Sequence, residues 1–183
     1  MSHELITGRW EDLQCVQALR SVGVNVPALV AWQPTGAGGL FLYEFTKNAL
    51  KELHFVAQIP HSALNGSVIK PHVHFTPRTT TATGVVRWQM EYTLKEPNGT
   101  FGAPATIGGS YTFAANQQDK HLAQSIDSAA ITLPATGAIH IIVGRLFRDG
   151  GVSPDTFAAS VFLLGFDFHY QKDKNGTVAE FGP

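Results

Sequence analysis

Residues 71–75 read Pro-His-Val-His-Phe, and the fold of the surrounding chain follows from how this stretch is interpreted. In an extended strand, successive side chains point to opposite faces of the sheet. His72 and His74 therefore share one face, and the apolar Val73 and Phe75 share the other. Such alternation predicts a β-strand with one buried and one polar face.

A second stretch near the C-terminus, residues 166–170 (FDFHY), repeats this pattern. Asp167 and His169 share one face, and three aromatic residues share the opposite face. Strict alternation along the whole run 156–171 would instead turn both polar residues toward the core. Gly165 lies at the point of conflict, and glycine inside a strand often marks a bulge that shifts the register. We therefore predict a bulge at Gly165.

The chain from residue 27 onward shows the same period of two. Strand-like runs occupy residues 40–45, 53–59, 68–76, 83–94, 105–114, 121–133, 138–147 and 156–171. Eight or nine short strands without a long helix predict an all-β fold, an antiparallel β-sandwich that is jelly-roll-like. The domain is expected to span residues 27–183.

Local turn chemistry adds three expectations. Asn65-Gly66 separates the runs 53–59 and 68–76, so these two runs are predicted to form a hairpin. Pro71 has no amide hydrogen, which predicts an edge position or a bulge. Residues 148–151 (Arg-Asp-Gly-Gly) are predicted to form a loop.

Residues 1–26 differ from the rest and are predicted to be an N-terminal arm or a short helix. Apolar residues recur there at every third position, as in an amphipathic helix. An extended arm that lies on a neighbouring subunit explains the same pattern. The residues expected to make its contacts are Trp10, Leu13, Val16 and Leu19.

Composition excludes several classes of function. The 183 residues suffice for one domain with a sizeable core. The net charge of −1, with 13 basic and 14 acidic residues, gives no basic stripe for nucleic acid. No run is long and apolar enough to span a membrane. Charged residues make up only 15%, against about 25% in typical soluble domains, which suggests that a partner covers part of the surface.

The polar faces of the predicted strands suggest two kinds of site. The first is a structural or interface cluster of hydrogen-bonded side chains, formed by His72, His74, Arg87, Glu91, Asp167 and His169. The second is a metal site in which His72 and His74 bind one ion, as in cupins. The third ligand would come from a neighbouring strand: His169, Asp167, Glu91 or His140. A cupin carries a ligating glutamate a few residues after its His-x-His, whereas residues 76–80 contain no carboxylate. This difference favours the structural cluster.

Several pieces of the chain, in order, resemble a family of small virion-associated proteins of tailed bacteriophages and prophages. The pieces are residues 10–13 (WEDL), 53–55, 60–61, 71–75, 86–92 (VRWQMEY), 119–121 (DKH), 145–149, 166–170 and 175–176. The family usually has Trp where this chain has Phe75, and residues 62–65 depart from its lysine-containing turn. The resemblance implies a protein that is made in the host cytoplasm and resides in the virion.

The leading hypothesis is a capsid decoration or cement protein that stabilises the phage head by bridging shell subunits. Its partners would be the major capsid protein or another virion protein, and further copies of itself in a trimer or dimer. It would need no cofactor and would not be an enzyme. One alternative is a tail-fibre or receptor-binding module with recognition loops at residues 75–83 and 148–154. Another is a cupin-like metal-dependent enzyme that uses His72, His74 and His169.

Overall fold

The computed structural model describes residues 9–15, 23–32, 39–79, 82–136 and 139–172. These residues form two antiparallel sheets packed face to face, which confirms the predicted jelly-roll-like β-sandwich. The described strands are β1 (Arg9–Gln14), β2 (Ala28–Ala31), β3 (Phe41–Phe45), β4 (Leu50–Ile59), β5 (Val68–Pro77), β6 (Gly84–Lys95), β7 (Ala105–Phe113), β8 (Leu122–Ser125), β9 (Ile131–Thr132), β10 (His140–Asp149) and β11 (Val161–Lys172). None of the described residues belongs to a helix that could span a membrane.

The larger sheet, called sheet A, has the strand order β2-β3-β11-β5-β8. Two further short strands belong to it. On one side of β11, β3 pairs with its first residues and β1 with its last; on one side of β5, β9 pairs with its first residues and β8 with later ones. The smaller sheet, called sheet B, has the order β4-β10-β6-β7. The strands that carry the polar pattern, β5 and β11, are therefore neighbours in the middle of sheet A.

Aromatic side chains from both sheets form the core. The Trp88 ring of sheet B lies 4.8 Å from the Phe45 ring and 5.7 Å from the Phe75 ring of sheet A, measured between centroids. Phe55 of sheet B contacts Phe166 of sheet A at 5.0 Å. All five side chains are essentially inaccessible to solvent. Burial of each contributes about 2–3 kcal/mol, so these contacts hold the two sheets together.

Arg148 forms a second connection between the sheets, and it is polar. Its guanidinium group has no solvent exposure and makes a bidentate ion pair with Asp155, with N–O distances of 2.8 and 2.9 Å. The remaining three N–H donors bond to the backbone carbonyls of Phe45, Phe157 and Ala159, each at 2.9 Å. All five donors of the group are thus satisfied. Arg148 is a residue of β10, so the prediction of a loop beginning at this position is wrong.

The Gly165 bulge is confirmed. The register between β11 and β5 shifts between Leu163 and Gly165. Residues before the shift, such as Leu163, face the core, and after it Phe166 and Phe168 face the core instead. The shift turns the polar residues that alternate with these phenylalanines to the outside of sheet A.

The hairpin predicted around Asn65-Gly66 is wrong. β4 pairs with β10 in sheet B, whereas β5 pairs with β11, β8 and β9 in sheet A. Gly66 does adopt the positive φ expected of a turn, at 73°. The turn chemistry is therefore correct, but the segment between the strands carries the chain from one sheet to the other. The local sequence predicts the turn, but it does not determine which strands the flanking segments pair with.

Pro71 was expected at an edge or a bulge, yet it lies in the central strand β5. Its carbonyl accepts a hydrogen bond from the Ile126 amide, 2.9 Å away on the side of β8 and β9. In a strand, the N and C=O of one residue point to the same side. The position without an N–H therefore faces a gap between two partner strands. On this side of β5, pairing with β9 ends at Ile69 and pairing with β8 begins at His72. This gap is why a proline is tolerated in the middle of a sheet.

The described part of the N-terminal segment belongs to the sandwich. Arg9–Gln14 forms β1 and pairs antiparallel with β11, so the helical alternative is wrong for these residues. Leu13 packs against the core, and Trp10 is 44% exposed with the Lys70 Nζ 5.0 Å above its ring. Val16 and Leu19 lie outside the described residues. A contact between this segment and another subunit stays a prediction.

The Arg148–Asp155 pair leads to a stability prediction. Asp155→Asn removes the only carboxylate that Arg148 contacts in the described chain and leaves a buried cation without its counter-charge. We expect a loss of about 3–5 kcal/mol in the free energy of unfolding, measured by urea denaturation. The matched control is Asp149→Asn, next to Arg148 in sequence but half-buried, for which we expect a change below about 1 kcal/mol. Equal effects of the two substitutions would contradict this role of the ion pair.

Candidate functional site

The polar sides of β5 and β11 meet on the outer face of sheet A. Asp167 is the register partner of His72, and His74 and His169 each lie two residues further along their strands on the same face. Val73, between the two histidines of β5, is fully buried in the core. The sequence pattern therefore brings together four of the six residues predicted for the polar cluster: His72, His74, Asp167 and His169.

Asp167 is at the centre of the hydrogen bonds. Its Oδ2 lies 3.1 Å from Nε2 of His74, and Nδ1 of His74 lies 2.8 Å from Nε2 of His121. If the neutral His74 ring donates its Nε2–H to Asp167, its Nδ1 must accept a hydrogen bond from His121. A protonated His74 ring would instead donate from both nitrogens, to Asp167 and to His121. In either state the contact with His74 orients the Asp167 carboxylate.

A second pair of contacts lies beside this chain. Nε2 of His169 is 3.0 Å from Oδ1 of Asp12, a residue of β1. The His169 ring also lies against the His72 ring, with centroids 3.8 Å apart and planes tilted by 38°. We call the six residues His72, His74, His121, His169, Asp12 and Asp167 the His–Asp cluster. It joins β1, β11, β5 and the residue that precedes β8.

Two buried atoms of the cluster have no hydrogen-bond partner among the described residues. They are Oδ1 of Asp167 and Nδ1 of His72, which lie 3.9 Å apart. Asp167 is only 6% exposed, although it is on the outer face of the sheet. An unpaired carboxylate oxygen at such a position costs free energy, because it has lost its hydration without gaining a donor.

The electrostatic environment differs between the two histidines of β5. Burial lowers the pKa of His72, and the positive charge of a protonated His169 lowers it further. The hydrogen bond to Asp167 raises the pKa of His74. The environment therefore shifts the pKa values of two histidines on one strand in opposite directions.

Cys15 lies close enough for the Asp167 charge to affect it. Burial, followed by that charge, raises the pKa of the thiol to about 12. The side chain is 1% exposed, so it is a protonated part of the core at neutral pH. This environment does not suit a nucleophile, which needs an accessible thiolate.

Arg87 and Glu91, the other two predicted members of the cluster, lie elsewhere. Both belong to β6 in sheet B, on its outer face, because Val86, Trp88 and Met90 between and beside them point into the core. Glu91 forms an ion pair with Arg145, which also contacts Glu52. The core of the sandwich separates these residues from the histidines. Alternation assigned each residue to the correct kind of face, but it does not show which sheet a strand joins.

The metal ligand set suggested by the sequence also changes. In the described part of the chain, the residues whose ligand atoms lie within 4.8 Å of one another are His72, Asp167 and His169. His74 instead bonds to the carboxylate and to His121. His140, considered as a further ligand, is buried at the start of β10 in sheet B, away from the cluster.

An open cleft of about 490 Å³ adjoins the cluster, where the Gly165 bulge lies between β3 and β1. Polar and aromatic side chains line it: Asp12, Gln14, Trp32, His74, Asp119, His121 and Asp167. Sequence reasoning missed Asp12, Trp32, Asp119 and His121 as site residues. Three of them lie in the stretches WEDL and DKH, and alternation along single strands does not show that these stretches adjoin β5 and β11.

No protein-family model and no curated protein matches the chain. Solved structures do: a family 35 carbohydrate-binding module of Cellvibrio japonicus Abf62 is 15% identical, with 96% of this chain and 99% of that one covered and a TM-score of 0.43. The two-module xylanase 10B fragment of Clostridium thermocellum is 12% identical, with a TM-score of 0.42. The match covers 98% of this chain and 30% of that one, so this chain spans under a third of its length. The stem and receptor-binding domain of the spike protein P1 of bacteriophage PM2 is 10% identical, with 94% of this chain and 68% of that one covered and a TM-score of 0.32. Similarity at this level concerns the β-sandwich fold alone.

His140 allows a test of pH dependence that is separate from the cluster. Burial lowers its pKa, although Glu96 nearby acts in the opposite direction. Above the ordinary value of about 6.5 the ring is neutral in both the folded and the unfolded chain. Below it, the unfolded chain takes up the proton first, so the folded state loses stability as the pH falls.

We therefore expect the melting temperature of His140→Gln to fall less between pH 7 and pH 5 than that of the unmodified protein. The opposite contribution of His74 is present in both proteins and cancels in the comparison. His54→Gln, on the neighbouring strand β4, is the control and should retain the full decrease. An unchanged decrease in His140→Gln would show that burial of this ring does not govern the acid response.

Proposed function

We propose that the chain is a structural protein of a bacteriophage virion, a decoration or cement protein that bridges shell subunits of the head. The family resemblance along the sequence supports the virion assignment. The observation that carries the bridging role is an apolar row on sheet A that no described residue covers. Residence in the virion, self-association and contact with the shell are parts of this one proposal.

The apolar row lies on the core-facing side of β2 and β3, at the edge of sheet A. Phe45 faces the core, so Tyr43 and Phe41, at alternate positions of β3, face the same side. Leu29 of β2 is the register partner of Tyr43 and joins this row. Leu29 and Phe41 are 57% and 55% exposed, beside a shallow hollow of about 160 Å³ whose lining includes Leu163.

This row fits a second copy of the chain. β2 pairs only with β3 among the described strands, so no described strand covers its other edge, where Arg78 Nη1 donates to the Ala31 carbonyl at 3.1 Å. Such an edge is suited to pairing with another strand. Two copies joined at this edge would cover the apolar row of each. The contact would form either a dimer or one of the interfaces of a trimer, the two assemblies expected for a bridging protein.

A second apolar patch provides a separate contact surface. Val56 and Val143 are register partners in sheet B, on its outer face, and are 49% and 40% exposed. A bridging protein needs one surface for its own copies and another for the shell. We assign the row on β2 and β3 to self-association and the outer face of sheet B to the shell subunit.

Substitution in the apolar row tests the self-association. Phe41→Glu places a charge in the proposed interface and should weaken association by about thirtyfold or more, as expected for a central interface residue. Light scattering coupled to size-exclusion chromatography would measure this change. Val152→Glu alters an equally exposed residue, at 55%, outside the row and should leave association unchanged. An unmodified protein that is monomeric at all concentrations would contradict the assignment.

Copy number in the particle tests the bridging role itself. A protein that decorates the shell is needed at hundreds of copies, because each copy covers only a few subunits. Quantitative mass spectrometry of purified particles should find this amount. Absence from the particle would refute the proposal, and a few to tens of copies would favour a tail location instead.

The cleft beside the His–Asp cluster favours a second candidate, a tail-fibre or receptor-binding module. The cleft combines the half-buried Trp32 ring with acidic groups and imidazoles, as expected for a polar ligand with an apolar face. Of the two recognition loops predicted from the sequence, 75–83 contributes Thr76 to this cleft, whereas 148–154 does not line it. Adsorption of particles to host cells that survives Trp32→Ala unchanged would argue against this candidate.

A further inference from the structure

We propose that His72, Asp167 and His169 form a binding site for a divalent transition-metal ion of the zinc type. This inference goes beyond the proposed function, and neither depends on the other. It rests on the separation of the ligand atoms, the unpaired Asp167 oxygen and the contacts that surround both.

The separations fit one ion after small side-chain movements. One ligand atom from each of the three residues lies within 4.8 Å of the others, and Nδ1 of His72 is 3.9 Å from Oδ1 of Asp167. Ligand atoms on one tetrahedral zinc ion are about 3.3 Å apart, because each bond is about 2.0–2.1 Å long. The His72–Asp167 pair therefore needs to close by about 0.6 Å, and the widest pair of the set by up to about 1.5 Å. Rotation of side chains provides that movement without a change in either strand.

The unpaired atoms point to a cation as the missing partner. Oδ1 of Asp167 and Nδ1 of His72 are both buried and have no hydrogen-bond partner in the described chain. A proton shared between them does not satisfy both at 3.9 Å, since that distance exceeds a hydrogen bond. A metal ion accepts a lone pair from each atom at once and would satisfy both.

The neighbouring residues have the arrangement of an outer coordination shell. His74 bonds to Oδ2 of Asp167 and leaves Oδ1 free, and Asp12 contacts Nε2 of His169 at 3.0 Å. In metal sites, such outer contacts orient the ligating carboxylates and imidazoles and raise metal affinity. His121 in turn holds His74. Two of the three proposed ligands, Asp167 and His169, are therefore already oriented by a neighbour.

The donor set selects the class of metal. Two imidazoles and one carboxylate suit zinc and related transition metals, whereas magnesium and calcium prefer an all-oxygen set. An ion bound there would connect β5 with β11, and through Asp12 also with β1. The site would thus stabilise the attachment of the N-terminal strand to sheet A.

Calorimetric titration of zinc chloride into the untagged, chelator-treated full chain tests the site. We expect saturable binding with one high-affinity ion per chain, no comparable binding of magnesium, and a melting temperature that rises with zinc concentration. His169→Asn, at a side chain that is 35% exposed, should weaken zinc binding at least tenfold while the fold is retained. His74→Gln should weaken it about 10–100-fold through the orientation of Asp167. His54→Gln in sheet B is the control and should bind as the unmodified protein does.

Two results would overturn the inference. One is an unmodified protein that shows no saturable zinc binding. The other is a folded His169→Asn variant, checked by circular dichroism, that binds zinc as tightly as the unmodified protein. If His169→Asn does not fold, Asp12→Asn takes its place. Asp12 is exposed within β1, opposite His169 in the register, and its ion pair in the cluster is with His169. We expect an effect of about tenfold or more for Asp12→Asn.

Discussion

The buried guanidinium group of Arg148 is the interaction on which the rest of the structure depends. A cation without solvent contact is stable only when its donors are paired and its charge is balanced, and here Asp155 and three carbonyls meet both needs. These partners come from β3 and from the segment that leads into β11, whereas Arg148 belongs to β10 of the opposite sheet. The ion pair therefore fixes where β11 begins relative to both sheets. A hydrophobic core alone would leave the sheets freer to slide, because apolar contacts have no direction.

The start of β11 determines what its later residues can do. The strand enters sheet A with Val161 and Leu163 facing the core, and the Gly165 bulge then changes the register. Without the bulge, Asp167 would point into an apolar interior, where an ionised carboxylate is very costly. With it, Asp167 meets the histidines of β5 on the outer face. The same irregularity opens the cleft between β3 and β1, so one local change in the strand produces both the cluster and the cavity beside it.

Much of this was predictable from the sequence, and the failures have one common cause. Alternation correctly placed His72 and His74 on one face, and the conflict at Gly165 revealed the bulge, because both depend on residues within a single strand. The hairpin after β4 and the inclusion of Arg87 and Glu91 in the cluster were wrong, because sheet membership depends on pairing between distant segments. Asp12 and His121 were missed for the same reason. Arg148 looked like a loop residue, since its partners become neighbours only in the folded chain.

The account describes a sandwich with an ordered polar face on sheet A, and with apolar surfaces elsewhere that are suited to contacts with other proteins. Its central claim is that these apolar surfaces are covered in an assembled virion. The most direct measurement is an electron cryomicroscopy map of the phage particle at side-chain resolution. We predict density for the sandwich on the head shell, with Leu29 and Phe41 buried against a second copy and the outer face of sheet B against a shell subunit. A map in which the protein is absent from the shell, or in which Leu29 and Phe41 remain exposed to solvent, would contradict the account.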